Sequence, residues 1–373
     1  MTVTEAKILV VQAGIRLVES GLIARTWGNV SCRISESSFV ITPSGRDYMS
    51  LTPDQIIAVN IKDLSYSGDI KPSSEKGVHA EVYALHPNIN FVIHTHQENA
   101  SVVGASCLDS IKAGSEFPML GDEVICARYA LPGTKKLMKN VHEALLKSKG
   151  NAVIMKNHGA LCFGKTYDEA FIAAGSLEKA CFIKIPDMDR LLEPNKNIKA
   201  SITKPYLNSY RNEDGFVLCD ENDKKIFVQR DKIYDSLPEE AKIYSLIYDR
   251  YKEVNYIIYN GAKEVKYVSK VLLKFKPVLD DFAQIVGVSV KNVDKDPEKI
   301  TIALKKSTAV LIKGSGALCC GNTLCDAKAS SIILEKACKA YITASAYGKV
   351  KPINPLECLL MRYNYLKKYS KQI

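Results

Sequence analysis

Residues 152–181 read AVIMKNHGALCFGKTYDEAFIAAGSLEKAC, and residues 309–338 read AVLIKGSGALCCGNTLCDAKASSIILEKAC. The two align without a gap at an offset of 157, with Gly159-Ala160-Leu161-Cys162 matched by Gly316-Ala317-Leu318-Cys319. Agreement held at one register over such a length marks an internal repeat. Each copy starts with an apolar run of strand length, turns at a glycine, runs apolar again and enters a helical pattern. In the first copy Thr166 stands as the N-cap of that helix, with Asp168 and Glu169 in its first turn. A second offset, 165, sets Asn90-Phe91-Val92-Ile93-His94 against Asn255-Tyr256-Ile257-Ile258-Tyr259 and Glu75 against Glu240. One fold is therefore written twice.

Outward from these segments the first copy reads as a mixture of strands and helices. Ile8, Val11, Ile15 and Val18 have helical spacing over residues 4–20, ended by Gly21. Strand-like pieces follow at 30–34, 39–42 and 56–60, with turns at Pro43-Ser44-Gly45 and Tyr66-Ser67-Gly68-Asp69. Residues 75–85 read as a helix capped by Ser73-Ser74, and Phe91 to Ile93 as a buried strand running into His94. A helix begins near Gln97, another spans 135–146, and strands at 152–155 and 161–163 flank Asn157-His158-Gly159. Strands and helices in this order predict an α/β or α+β layer with a largely antiparallel sheet. Residues 1–195 form one predicted domain and 196–373 the degenerate repeat, with a linker over about 186–210 and a basic C-terminal tail.

A chain of 373 residues is long for one core, which agrees with two domains. Its longest apolar runs are strand-sized, too short for a bilayer, and no apolar signal core opens the chain. The eleven cysteines form no C-x-x-C pair, and Cys162, Cys181, Cys319 and Cys338 lie among apolar neighbours, as reduced thiols do. A cytoplasmic setting is expected. The net charge of +10 sits in the second half, where 31 Lys+Arg meet 20 Asp+Glu; the first 195 residues hold 20 against 21. The cations of the second half are dispersed and mostly lysine, with no arginine cluster, which speaks against nucleic acid as a partner.

The chemistry is concentrated in the first copy, which holds all six histidines. His94 and His96 alternate on a strand, so both leave the same face and can reach one metal. A third histidine, His158, stands at another strand end. Three protein ligands leave a fourth position for water or substrate, the pattern of a catalytic zinc. A lone H-x-H is more often incidental, but here it is joined by Asn-His-Gly and Ser-Ser-Glu, and the repeat lacks all three histidines. Tyr259, Gly261 and Ser315 stand where His94, His96 and His158 stood. Glu75 reads either as a helix-end carboxylate or as a base beside the metal. Gly28-Asn29, Ser44-Gly45 and Ser73-Ser74 are ordinary turn pieces that can also form an anion nest for phosphate. His79, His86 and His142 lie on helix patterns and read as structural or exposed.

Gly28-Asn29-Val30-Ser31, Ile41-Thr42-Pro43-Ser44-Gly45, Pro72-Ser73-Ser74-Glu75, His94-Thr95-His96 and Asn157-His158-Gly159 occur in the order and spacing of the class II aldolase/adducin family. The chain resembles its L-fuculose-phosphate aldolase branch over about residues 5–185. The resemblance implies a three-layer α/β/α sandwich with a mainly antiparallel central sheet, here duplicated, with a truncated and degenerate second copy. It implies zinc, or another divalent cation, on His94, His96 and His158, with Glu75 as acid/base. It also implies substrate phosphate against Gly28, Asn29, Ser44, Gly45, Ser73 and Ser74. The branch carries a tyrosine about twenty residues after the H-x-H; this chain has Ala113-Gly114-Ser115-Glu116-Phe117 there, and Tyr129 matches a different family tyrosine.

The expected activity is zinc-dependent cleavage of a phosphorylated ketose to dihydroxyacetone phosphate and a short aldehyde. Within the same resemblance stand a pentulose-phosphate 4-epimerase, which usually has aspartate in place of Glu75, and related dehydratases or decarboxylases. A non-enzymatic, adducin-like association module is the reading of another class, and retention of the three histidines argues against it. The expected partners are a small phosphorylated sugar and further copies of the chain, with two tandem chains building a ring in which the second domain acts as a pseudo-subunit.

Overall fold

Alternation along the strands assigns each residue of the first repeat to a layer. The structure, a computed structural model, describes residues 1–23, 27–192, 208–220, 222, 224–229, 237–348 and 350–369. In the first repeat the strands are β1 (Gly28–Arg33), β2 (Ser38–Ile41), β3 (Ile57–Asn60), β4 (Phe91–Thr95), β5 (Ser110–Lys112), β6 (Glu123–Ala127), β7 (Ala152–Met155) and β8 (Gly159–Gly164). They make one sheet in the order β3-β2-β1-β4-β8-β7-β6-β5, antiparallel throughout except between β6 and β7. The helices are α1 (Val3–Glu19), α2 (Lys76–Leu85), α3 (Glu98–Gly104), α4 (Lys135–Leu145) and α5 (Tyr167–Lys184).

Val92, Leu161, Phe163 and Val153 share one core with Val78, Val82, Leu137 and Val141, which places α2 and α4 on one face. Phe91, Ile93 and Val30 pack with Val10, Leu17 and Phe171, and Ile154 and Cys162 pack with Val103 and Leu177. Helices α1, α3 and α5 therefore cover the other face. Three layers result, as expected. Because side chains alternate, His94 follows Val92 onto the α2/α4 face, and Asn29, Ser31 and Arg33 join it from β1.

The second repeat rebuilds the same sheet. Its strands are β9 (Asn208–Asn212), β10 (Gly215–Cys219), β11 (Lys225–Gln229), β12 (Tyr256–Asn260), β13 (Lys274–Phe275), β14 (Val290–Val293), β15 (Ala309–Ile312) and β16 (Gly316–Gly321), in the order β11-β10-β9-β12-β16-β15-β14-β13. Only β14 and β15 run parallel. Ile93 faces Cys162 across β4 and β8, and Ile258 faces Cys319 across β12 and β16, so both sequence offsets reappear as one register. Among the described residues its helices are α6 (Met188–Leu192), α7 (Glu240–Arg250), α8 (Lys263–Val271), α9 (Pro297–Ala303), α10 (Leu324–Ala346) and α11 (Pro355–Asn364).

The second copy is the shorter one, but not in its sheet. Residues 42–56 join β2 to β3, whereas 220–224 suffice between β10 and β11. The copy has thus kept its strands and lost the long connection that carries Ser44 and Gly45. Contacts divide the chain into two units, built mainly on Met1–Pro186 and on Asp187–Ile342. Of the expected linker, residues 193–207 lie outside the described residues, as do 370–373 of the basic tail. No helix among the described residues is long and apolar enough to cross a membrane.

Both repeats contain one device that the sequence reading missed. Arg33 donates to the carbonyls of Ile89 (2.9 Å), Tyr83 (2.6 Å) and His86 (3.2 Å), tying β1 to the end of α2. Arg211 donates in the same way to Val254 (3.1 Å), Tyr248 (2.8 Å) and Tyr251 (3.1 Å). The last carbonyls of a helix have no partner within it, and a guanidinium fork satisfies them.

Candidate metal centre

Three strand ends and one helix start converge. Strand β4 lies between β1 and β8, with Asn29 opposite His94 on one side and Leu161 opposite His94 on the other. His158 sits in the β7–β8 turn, where Asn157 takes φ +60. That left-handed conformation is tolerated by Asn and favoured by Gly, and Gly314 with φ +68 supplies it in the second repeat. The Asn-His-Gly piece is therefore partly a requirement of the turn. Gly28 and Gly159 permit close approach: a Cβ on Gly28 would lie 2.7 Å from the His94 carbonyl oxygen, and one on Gly159 2.1 Å from that of Thr95.

His94, His96, His158 and Glu75 each offer one ligand atom, and those atoms all lie within 4.8 Å of one another. His94 Nε2 is 3.0 Å from His96 Nε2 and 3.1 Å from His158 Nε2. The Glu75 carboxylate reaches His94 Nε2 at 3.0 Å and His158 Nε2 at 2.9 Å. His94 Nδ1–H donates to the Ala160 carbonyl at 2.9 Å, which leaves its Nε2 lone pair directed at the other two rings. Three ring nitrogens and a carboxylate gathered this closely, with His94, His158 and Glu75 buried and His96 half-buried, make a donor set suited to a cation. Nitrogens bound at about 2.0–2.1 Å by one tetrahedral ion also lie a little over 3 Å apart. The residues present therefore fit a divalent metal, with the Ala160 carbonyl orienting one ligand ring from behind.

Glu75 is the N-cap of α2, and the helix begins one residue later than expected. The expected Ser73-Ser74 cap is corrected accordingly: Ser73 Oγ accepts from the Glu75 amide at 3.2 Å, while the Glu75 side chain caps nothing. Its carboxylate is free of a helix-end role and is turned toward the histidines. Burial pushes the Glu75 carboxyl up, but its close contacts with the His94 and His158 rings together outweigh it and hold it well below the usual carboxylate range.

The phosphate candidates come from two connections held side by side by an isolated bridge between Pro43 and Pro72. Ser73 N–H donates to Thr42 O and Ser44 N–H to Lys71 O, both at 3.0 Å. Gly45 takes φ +71, Ser74 is exposed, and Ser44 and Gly45 are half-buried. Asn29 is buried beside Glu75, to which its amide donates at 3.3 Å. Gly28 contributes its carbonyl, which accepts from Tyr48 Oη–H at 2.6 Å.

Three polar residues near the centre have no site role in the sequence reading, which takes His79 only as structural or exposed. Ser31, His79 and Tyr83 are buried and linked to Asn29. Their signal was present, since Glu75, His79 and Tyr83 recur every fourth residue on one helix face. His86 and His142 belong elsewhere: His86 stacks on Phe163, and His142 lies 2.7 Å from Glu81. In the second repeat Tyr259, at the place of His94, donates to the Ser315 carbonyl at 2.5 Å. A Cβ on Gly261 would fall 2.7 Å from its ring, so tyrosine occupies the space the ligands vacated. Among the described residues no second group of metal-ligating side chains occurs.

The sequence profile described as the class II aldolase and adducin N-terminal domain matches residues 8–185 and again residues 203–342. The chain is 30% identical over 170 residues to a 5-deoxy-D-ribulose 1-phosphate aldolase of Bacillus thuringiensis serovar kurstaki, spanning 45% of this chain and 79% of that protein. It is 36% identical over 161 residues to a 5-methylthioribulose-1-phosphate/5-deoxyribulose-1-phosphate aldolase of Escherichia coli O45:K1, spanning 43% and 73%. A solved L-fuculose 1-phosphate aldolase is 30% identical, covering 48% of this chain and 84% of that one with a TM-score of 0.45. Matched in both halves, with its histidines confined to the first, the chain belongs to the family of class II aldolase and adducin N-terminal domains.

Proposed function

We propose that residues 1–195 form a zinc-dependent aldolase domain that cleaves a ketulose 1-phosphate to dihydroxyacetone phosphate and a short aldehyde, and that residues 196–373 form a repeat without chemistry of its own. The observation that carries this reading is the convergence of three imidazole Nε2 atoms and the Glu75 carboxylate in one place, with His94, His158 and Glu75 buried and His96 half-buried. The names of the two relatives favour a deoxypentulose phosphate, whose cleavage would release a two-carbon aldehyde.

Zinc held by His94, His96 and His158 would supply a Lewis acid for the substrate's carbonyl and adjacent hydroxyl oxygens. When the C3–C4 bond breaks, the C4 hydroxyl gives up one proton and C3 receives one. Glu75 stands to move the proton at C3, which becomes the hydroxymethyl carbon of dihydroxyacetone phosphate. The hydroxyls of Ser44, Ser73 and Ser74, with the amides of Gly45 and Ser74, would receive the phosphate, with Asn29 beside them. Gly28 holds β1 close enough to β4 for Asn29 to face His94. The eleven free cysteines agree with work in a reducing cytoplasm.

Metal analysis of chelator-free protein, with a panel of ketulose 1-phosphates assayed for triose-phosphate release, tests the reading. His94→Ala should lose both metal and activity. Glu75→Gln should keep the metal and lose about a hundredfold to ten-thousandfold in kcat, the usual share of a positioned acid/base. Protein without stoichiometric divalent metal, or a Glu75→Gln variant of full activity, overturns it.

A further inference from the structure

Two stripes of side chains face each other between α2 and β1. From its N-cap onward α2 presents Glu75, His79 and Tyr83 at every fourth residue, and β1 presents Asn29, Ser31 and Arg33 at every second. Four helical residues advance about 6 Å and two strand residues about 6.6 Å, so the stripes stay in step. Contacts run the length of both. Tyr83 Oη is 2.7 Å from Ser31 Oγ, Ser31 Oγ is 2.7 Å from His79 Nδ1, and His79 Nε2 is 2.5 Å from Asn29 Oδ1. Asn29 Nδ2 completes the chain to Glu75 Oε2 at 3.3 Å. Every member is at most 7% exposed.

One negative charge directs all four hydrogen bonds. The ionised carboxylate only accepts, so Asn29 turns its NH2 toward Glu75 and its carbonyl oxygen toward His79. That oxygen only accepts, so His79 Nε2 carries the hydrogen. Burial, with the neighbouring His94, lowers the His79 pKa to about 3, so the ring is neutral and Nδ1 is bare. Ser31 must then donate to Nδ1, and Tyr83 to Ser31.

We propose that His79 is a positioning residue for Glu75, locking the Asn29 amide so that its NH2 holds the carboxylate in place, with Ser31 and Tyr83 locking the His79 tautomer in turn. The proposal rests on the reading of Glu75 as the acid/base of the site. The second repeat supplies an internal control. There Tyr248 Oη–H still donates to Ser209 Oγ at 3.0 Å, and Arg211 keeps its three carbonyls. In sequence, however, Tyr244 replaces His79 and Leu207 replaces Asn29, at the same time as the metal-ligand positions became Tyr259, Gly261 and Ser315. The outer end of the stripe survives where packing alone is required. The inner end has gone together with the metal ligands.

Two measurements test it. Nitrogen-15 NMR of histidine-labelled protein, with His79→Gln to assign the ring, should show His79 as the Nε2–H tautomer without titration between about pH 5 and pH 9. An Nδ1–H tautomer or a titrating ring overturns the proposal, whatever the enzyme's substrate. The second measurement is exchange of a hydroxymethyl hydrogen of dihydroxyacetone phosphate for deuterium in D2O, which needs no aldehyde. His79→Leu should slow it about tenfold to a hundredfold with metal still bound, the usual effect of a group supporting a site from behind. His79→Gln keeps a donor near the Nε2 position and should recover most of the rate. Equal rates in wild type and His79→Leu overturn the positioning role. A wild-type protein that does not exchange refutes the aldolase reading instead, and the tautomer measurement then decides the relay alone. The same measurement decides if His79→Leu does not fold.

Discussion

Replacing Arg33 by alanine should destabilise the first unit far more than a half-buried arginine ordinarily would. Its guanidinium donates to three carbonyls, two of them at the end of α2, and lies 4.8 Å over the Tyr83 ring. A hydrogen bond from a charged donor contributes about 1.5–3 kcal/mol, and part of that returns when the freed carbonyls meet water. The cation–π contact adds about 0.5–2 kcal/mol. Against this stands the cost of keeping a guanidinium partly out of water, which also lowers the Arg33 pKa. Two short bonds, one long bond and a stacked ring, less desolvation, leave a net loss of about 3 kcal/mol. For a unit of this size that corresponds to a fall of about 6–12 °C in Tm. Trp27 is the chain's one tryptophan and lies in the first unit, so its fluorescence in urea reports that unit. A loss below about 1 kcal/mol would show that the carbonyls find other partners and refute the clamp. Arg33→Lys should recover less than half, because one ammonium cannot serve three carbonyls along a planar fork. Arg211→Ala removes the matching bonds and should cost a similar amount, followed by circular dichroism.

Glu75 makes acid stability depend on the metal-free site. Its folded pKa is depressed below the unfolded value near 4.5, so the stability it contributes is complete above about pH 4.5 and is lost as pH falls toward the folded pKa. In chelator, Glu75→Gln should flatten the acid limb of Tm against pH relative to wild type, and parallel curves would contradict the ion pairing. We also propose that the second domain serves as a pseudo-subunit, in the way duplicated subunits of a symmetric ring retain an old interface. Truncation after about residue 195 should then change the oligomeric state or lower activity, read by light scattering and the triose-phosphate assay. A soluble first domain of unchanged assembly and full activity would end that idea.

Much of this protein was legible in its residues. The repeat at offsets 157 and 165 is carried by apolar positions that must fill the same core twice, and the register of β12 on β16 follows it residue for residue. Strand alternation suggested that His94 and His96 meet, and their ring nitrogens do lie 3.0 Å apart, although β4 ends at Thr95 and His96 stands one residue beyond it. What sequence could not decide is which face, and what stands opposite. His158 lies far from His94 along the chain, and only the β4–β8 pairing brings their ring nitrogens to 3.1 Å. Glu75 was equally good as a helix cap or a base until the structure turned its carboxylate away from the helix end. His79 read as a helix residue of no special kind, because a four-residue spacing shows which face it shares and not which strand meets that face. A strand supplies alternation and a helix supplies a stripe, both local properties of the backbone. The meeting of β1 with α2, where Asn29, Ser31, His79 and Tyr83 find one another, is a tertiary contact set by how the layers pack, and no local periodicity encodes it.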